Sequence, residues 1–135
     1  MKPEDKVATV EQCKKLVKLG VDLETEKCWT YSNLDDNGEW IDCLLCNMPD
    51  GEYRFAADFF PAPDVAELGE VLNLNNGFYI LRAGKKTVAD LRTKWCDYDE
   101  CVAEIRNKPT EAQARCAALI WLIENGYLKP EDIKL

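Results

Sequence analysis

The chain contains no histidine. That removes the commonest general base, the usual partner of a nucleophilic serine or cysteine, and the commonest metal ligand, so any catalysis falls to carboxylates, lysines or tyrosines. Long apolar runs are missing too. The longest mainly apolar stretch, residues 116–123, is far short of the roughly 20 residues with which a helix crosses a bilayer, which excludes such a span. Positive charge is scarce: 17 Lys and Arg stand against 25 Asp and Glu, and the resulting net charge of −8 repels phosphate backbones and anionic lipid. Nucleic acid is therefore a poor candidate partner. The charged start, residues 1–6, has no apolar stretch behind it, so no export leader is read there and a cytoplasmic protein is expected. Gly84-Lys85-Lys86-Thr87 lacks the earlier glycine of a phosphate-cradling loop.

What the chain does have suits one hydrophobic core. At 135 residues it falls in the size range of a single domain, and its 47% apolar and 31% charged residues match compact proteins rather than disordered ones. No repeat or Pro/Gly-rich linker divides it, so residues 1–135 are expected to form one domain. Acidic balance is first a solubility device, and its sharper reading is a surface offered to a basic partner, in the extreme a mimic of nucleic acid.

Helix signals are strong at three places. Thr9-Val10-Glu11-Gln12 forms a capping box, Val10, Cys13, Leu16 and Val17 recur at helical spacing, and Gly20 supplies a left-handed close, predicting a helix over 10–19. Pro61-Ala62-Pro63-Asp64 precedes a second stripe, Val65, Leu68, Val71 and Leu72, that ends near 73–76. A second capping box, Thr110-Glu111-Ala112-Gln113, opens the last helix, which Gly126 ends and Pro130 keeps from restarting. Its apolar stripe is wide and dense, so this helix should lie across the sheet at the centre of the core, and a charge at Ile120 is expected to unfold the chain.

Strands are expected at 27–32 and 39–46, turned through Asp35-Asp36-Asn37-Gly38, with a short one at Tyr53-Arg54-Phe55 and another at Phe78-Tyr79-Ile80-Leu81. Residues 87–106 support two readings. Val88, Leu91, Trp95, Tyr98, Val102 and Ile105 repeat at helical spacing, yet strands near 87–95 and 101–106 with a turn at 97–100 fit as well.

Seven cysteines invite a chemical reading: Cys13, Cys28, Cys43, Cys46, Cys96, Cys101 and Cys116. An odd count without an export signal argues against a disulfide framework, and reduced thiols behave as small buried hydrophobes. The alternative is zinc held by Cys43, Cys46, Cys96 and Cys101, a C-x2-C with a C-x4-C. Against it, Leu44 and Leu45 occupy the place where zinc knuckles put turn-forming residues, and in an extended strand this spacing points the two thiols to opposite faces. Thioredoxin-like chemistry at Cys43 would need a helix N-terminus there, and the surroundings read as strand. Asp35-Asp36 and Asp97-Tyr98-Asp99-Glu100 read as solvated turns without the spacing of a calcium loop. Trp29, Tyr31, Trp40, Phe59, Phe60, Phe78 and Tyr79 suit either a core or one lined groove.

Three stretches carry a resemblance: Val10-Glu11-Gln12-Cys13-Lys14-Lys15-Leu16 with Leu19-Gly20 and Glu24-Thr25; Pro61-Ala62-Pro63-Asp64 with Leu68; and residues 111–126. Together they resemble a group of small uncharacterised proteins of gut Bacteroides-type bacteria and their prophages or mobile elements, and residues 85–108 match least. The resemblance implies strands rather than a helix before the last helix, and an accessory, phage-related role; it carries over no functional residues. The expectation is an α+β fold, an antiparallel sheet of about four or five strands packed against a long C-terminal helix with two further helices. No catalytic residue, cofactor or metal is assigned. The leading function is non-catalytic binding of a protein partner; an enzyme using carboxylates and the zinc module are the alternatives.

Overall fold

The computed structural model describes residues 2–34, 36–37, 40–49, 59–74, 78–81, 89–93, 100–106 and 108–133. In 32–34, 40–42, 73–74, 78–81, 89–93 and 100–102, and at 132, it describes the backbone alone.

Helix α1, Val10–Lys18, starts where its sequence says it should. The Thr9 hydroxyl accepts from the Gln12 N–H at 3.2 Å and the Gln12 side-chain oxygen accepts from the Thr9 N–H at 3.1 Å. It ends at Gly20, whose φ of 87° lets its N–H reach the Val17 carbonyl while the Val21 N–H reaches that of Leu16. This pair of bonds satisfies carbonyls that the helix leaves open. Cys13 and Leu16 are its buried residues.

Strand β1, Lys27–Leu34, pairs antiparallel with β2, Trp40–Asn47, on one side and β3, Phe59–Pro61, on the other. The register sets Cys28 opposite Cys46 and Pro61, and Trp29 opposite Leu45 and Phe60, before slipping beyond Tyr31. Trp29 is buried, and its indole N–H donates to the Ala8 carbonyl at 2.9 Å, tying the segment before α1 to the sheet. The chain pairs Phe59-Phe60-Pro61 as a strand where the sequence suggested only an approach to the second helix. The expected strand at 53–55 lies outside the described residues.

Helix α2, Val65–Gly69, passes into a π-helical turn, Glu70–Leu74. Its start is a reciprocal cap between Asp64 and Glu67. Strands β4, Phe78–Leu81, β5, Ala89–Thr93, and β6, Glu100–Ile105, make a second antiparallel sheet in the order β4-β5-β6. Residues 89–93 and 100–105 are thus paired strands, not parts of the helix that the same spacing allowed.

Helix α3, Glu111–Glu124, packs against α1, α2, β4 and β6. Ala112, Ala114, Cys116, Ala118, Leu119, Ile120 and Leu122 are all buried, as a helix enclosed from several sides requires. Arg115 ties it to α2, donating from one guanidinium nitrogen to the Val65 carbonyl at 2.7 Å and from another to Glu111 at 3.1 Å. Gly69 keeps that guanidinium's place open, since a β-carbon there would collide with it. The architecture is α+β and antiparallel, as expected. The described strands, however, fall into two sheets of three rather than one of four or five. Among the described residues no helix is long and apolar enough to cross a membrane.

Candidate functional site

Where α1, the end of β6 and α3 meet, they leave a cavity of about 390 Å³. Ala117, Ile120, Trp121 and Glu124 recur at helical spacing and present one face of α3 to it; Ile105 adds an apolar wall from β6. Ile105 and Ile120 are buried while Ala117 and Trp121 are half-buried, so the apolar members form the floor. Charged side chains form the rim: Glu11 and Lys15 from α1, Glu104 and Arg106 around the end of β6, Lys108 beyond it, and Glu124.

The rim is partly braced. Lys15 Nζ lies 3.1 Å from Glu124 Oε1, linking α1 to α3, and Arg106 Nη2 lies 2.7 Å from Glu104 Oε2. Both pairs are well exposed, where such contacts stabilise by no more than about 1 kcal/mol. They position charge more than they hold the fold. A firmer link is buried deeper: the Gln12 side-chain nitrogen donates to the Gln113 carbonyl at 2.9 Å. At the far end of α3, Gly126 has φ 79°, Tyr127 N–H bonds the Leu122 carbonyl at 2.9 Å, and the Tyr127 ring stacks on Trp121 with centroids 5.4 Å apart. That stack holds the Trp121 indole in place at the cavity wall.

No family model, curated protein or solved structure matches this chain. Its chemistry must be read from its own side chains.

Cys43 packs against the core while Cys46 lies half-buried, three positions on along the same strand, and Cys46 Sγ comes to 3.5 Å from Cys28 Sγ. Cys96 lies outside the described residues and Cys101 is described in its backbone alone. The described part of the proposed zinc set therefore does not converge, and among the described residues no three Cys, Asp or Glu gather to hold a metal. Burial raises the thiols of Cys13, Cys28 and Cys116 above their ordinary values, those of Cys28 and Cys116 to about 12. Cys13 and Cys116 thus stay protonated as inert packing.

Of the acidic turns, Asp36 is exposed, Asp35 and 97–99 lie outside the described residues, and Glu100 is described in its backbone alone. Burial raises the Glu67 carboxyl, the pattern sought in a proton donor, but its oxygens accept from the Asp64 and Glu26 N–H groups and cap α2. The phosphate-loop candidate at 84–87 lies outside the described residues. Among the aromatics, Trp29 is core, and Tyr31 and Phe60 meet edge-on at 5.7 Å with Lys14 Nζ above both rings. A hydrogen bond to Tyr31 is the main cause that raises the Lys14 ammonium above its ordinary value. Trp40, Phe78 and Tyr79 are described in their backbones alone. The α1/β6/α3 cavity escaped sequence reasoning because its walls come from three distant segments; the half-buried Trp121 in an otherwise aliphatic helix was the available signal.

Proposed function

We propose that this is a non-catalytic protein-binding module of the cytoplasm, an accessory protein of the phage-related kind that the resemblance implies. The cavity between α1, β6 and α3 carries the reading. An apolar floor of Ile105, Ala117, Ile120 and Trp121 inside a charged rim suits one inserted aliphatic or aromatic side chain, with polar contacts around it fixing orientation. The occupant is a segment of a basic partner that presents such an anchor flanked by Lys or Arg. A net charge of −8 draws basic partners in by long-range attraction.

The test fills the floor without touching the core. Ala117 is half-buried on the cavity wall, so Ala117→Arg should fold and occlude the site. Peptides selected on the unmodified protein from a displayed random library should share an apolar residue with basic neighbours and lose at least about tenfold in affinity, some 1.4 kcal/mol, on the variant. Equal binding to the variant, or selected peptides without that pattern, would refute the reading.

A further inference from the structure

The thiol that Cys46 faces is not its sequence neighbour Cys43 but Cys28, eighteen residues back on the adjoining strand. We propose that Cys28 and Cys46 form a reversible oxidation site that closes to a cross-strand disulfide when the protein meets a peroxide. Three observations on geometry and access support this, independently of the binding cavity.

First, the sulfurs are 3.5 Å apart and no side chain separates them. Second, the ladder places the residues correctly. The Lys27 carbonyl accepts from Ala62 on the β3 side, whereas the Glu26 carbonyl accepts from Met48 on the β2 side. Backbone direction alternates along a strand, so Cys28 also faces β2 and forms a hydrogen-bonded pair with Cys46. In such pairs the Cα atoms sit about 5.5 Å apart, inside the roughly 4.4–6.8 Å that disulfides span. Their Cβ atoms lie nearer 5 Å than the ~3.8 Å a relaxed disulfide prefers, so closure draws the strands together and stores strain. A strained bond is readily reduced, which makes the site reversible. Third, the two thiols differ in access: Cys28 is 0% exposed, and Cys46 is partly open to solvent. Small oxidants reach Cys46.

The chemistry then has one order. The Cys46 thiolate attacks one peroxide oxygen, the O–O bond breaks, hydroxide leaves and is protonated to water, and Cys46 carries a sulfenic acid. The Cys28 sulfur attacks the Cys46 sulfur, the S–O bond breaks, and the departing hydroxide takes the Cys28 proton as a second water. Two thiols and one peroxide become one disulfide and two waters, with two electrons passing from sulfur to oxygen. Burial, and after it the hydrogen bond and charge of Cys46, push the Cys28 thiol up to about 12, so Cys28 holds its proton until the second step. A soluble dithiol reverses the bond by exchange.

The full chain, reduced and freed of reductant, is treated with a small excess of hydrogen peroxide, alkylated, and cut after glutamate. Cleavage at Glu26, Glu39 and Glu52 puts Cys28 in one peptide and Cys43 with Cys46 in another. The expected result is an intact mass lower by two hydrogens, a linked peptide pair whose fragments place the bond at Cys28 and Cys46, and full return with dithiothreitol. C43S should keep the bond. C46S, altered at a half-exposed position, should lose it, and C28S should leave a Cys46 sulfenic acid that dimedone traps. Seven thiols still free after peroxide, a bond between other cysteines, or a metal bound at one equivalent that blocks the reaction would each overturn the proposal.

Discussion

Helices α1 and α3 touch, yet each is held by different means. α1 shows a single apolar stripe and buries Cys13 and Leu16, with Glu11, Lys15, Val17 and Lys18 left outside. α3 buries seven residues distributed around its circumference, because α1, α2, β4 and β6 all press on it. A strong stripe reports one neighbour; its dilution by apolar residues on the other sides reports enclosure. Amphipathicity alone would rank these two helices in the wrong order of structural importance.

The sharpest way to break the contrast is a charge on α3. Leu119 is fully buried, so Leu119→Asp should abolish folding, seen as loss of the cooperative urea transition and of native circular dichroism, since an unpaired buried carboxylate costs several kcal/mol. Ile120, where the sequence placed that vulnerability, is buried as well but borders the cavity. Ile120→Asp should therefore also destabilise the fold severely, though by less than Leu119→Asp.

Next in size is a pH effect rooted where the two helices meet. Cys13 on α1 and Cys116 on α3 are buried thiols held in the neutral form, Cys13 chiefly by its burial and then by Cys116, and Cys116 by its burial against a smaller opposing pull from Lys108. An unfolded thiol gives up its proton near pH 9, whereas the folded one at Cys116 holds it to about 12. The folded state therefore binds more protons above pH 9, and stability, unaffected by these groups below that pH, falls from there to about 12 at up to about 1.4 kcal/mol per pH unit for each thiol. Urea midpoints in reductant at pH 8, 10 and 11 should show the fall, and Cys116→Ala should flatten it. A midpoint constant to pH 11 would contradict the burial of both thiols.

The smallest effect separates the helix starts. Thr9→Ala removes the hydroxyl half of a reciprocal cap, whereas Thr110 makes only its own bond to Gln113, at 3.1 Å. Both should cost about 1 kcal/mol in urea denaturation, with Thr9 the larger by a few tenths.

Local signals carried far in this chain. The Thr9 and Thr110 caps, the glycine closes at Gly20 and Gly126, and the strand pairs around 27–47 were legible because each depends on residues within a turn of one another. Where a reading failed, a distant segment decided. The capping box expected from Thr110-Glu111-Ala112-Gln113 is half formed among the described residues, and the bond from the Gln12 side chain to the Gln113 backbone carbonyl is one that no local pattern announces. That Cys43 and Cys46 take opposite faces was legible from strand alternation, but that Cys46 meets Cys28 was not, because the register of β1 against β2 decides it. Spacing fixes which face a side chain takes; only the register of the neighbouring strand says what it meets there. The cavity needed three segments at once, and no window of sequence contains them.

The Gln12 amide closes the first turn of its own helix with its oxygen and grips the first turn of α3 with its nitrogen, so two helix nuclei a hundred residues apart share a single planar group. Neither beginning can fray without loosening the other. Amide protons at the two starts should consequently exchange with solvent as one cooperative unit, giving the chain a clasp that fastens two helices far apart in sequence.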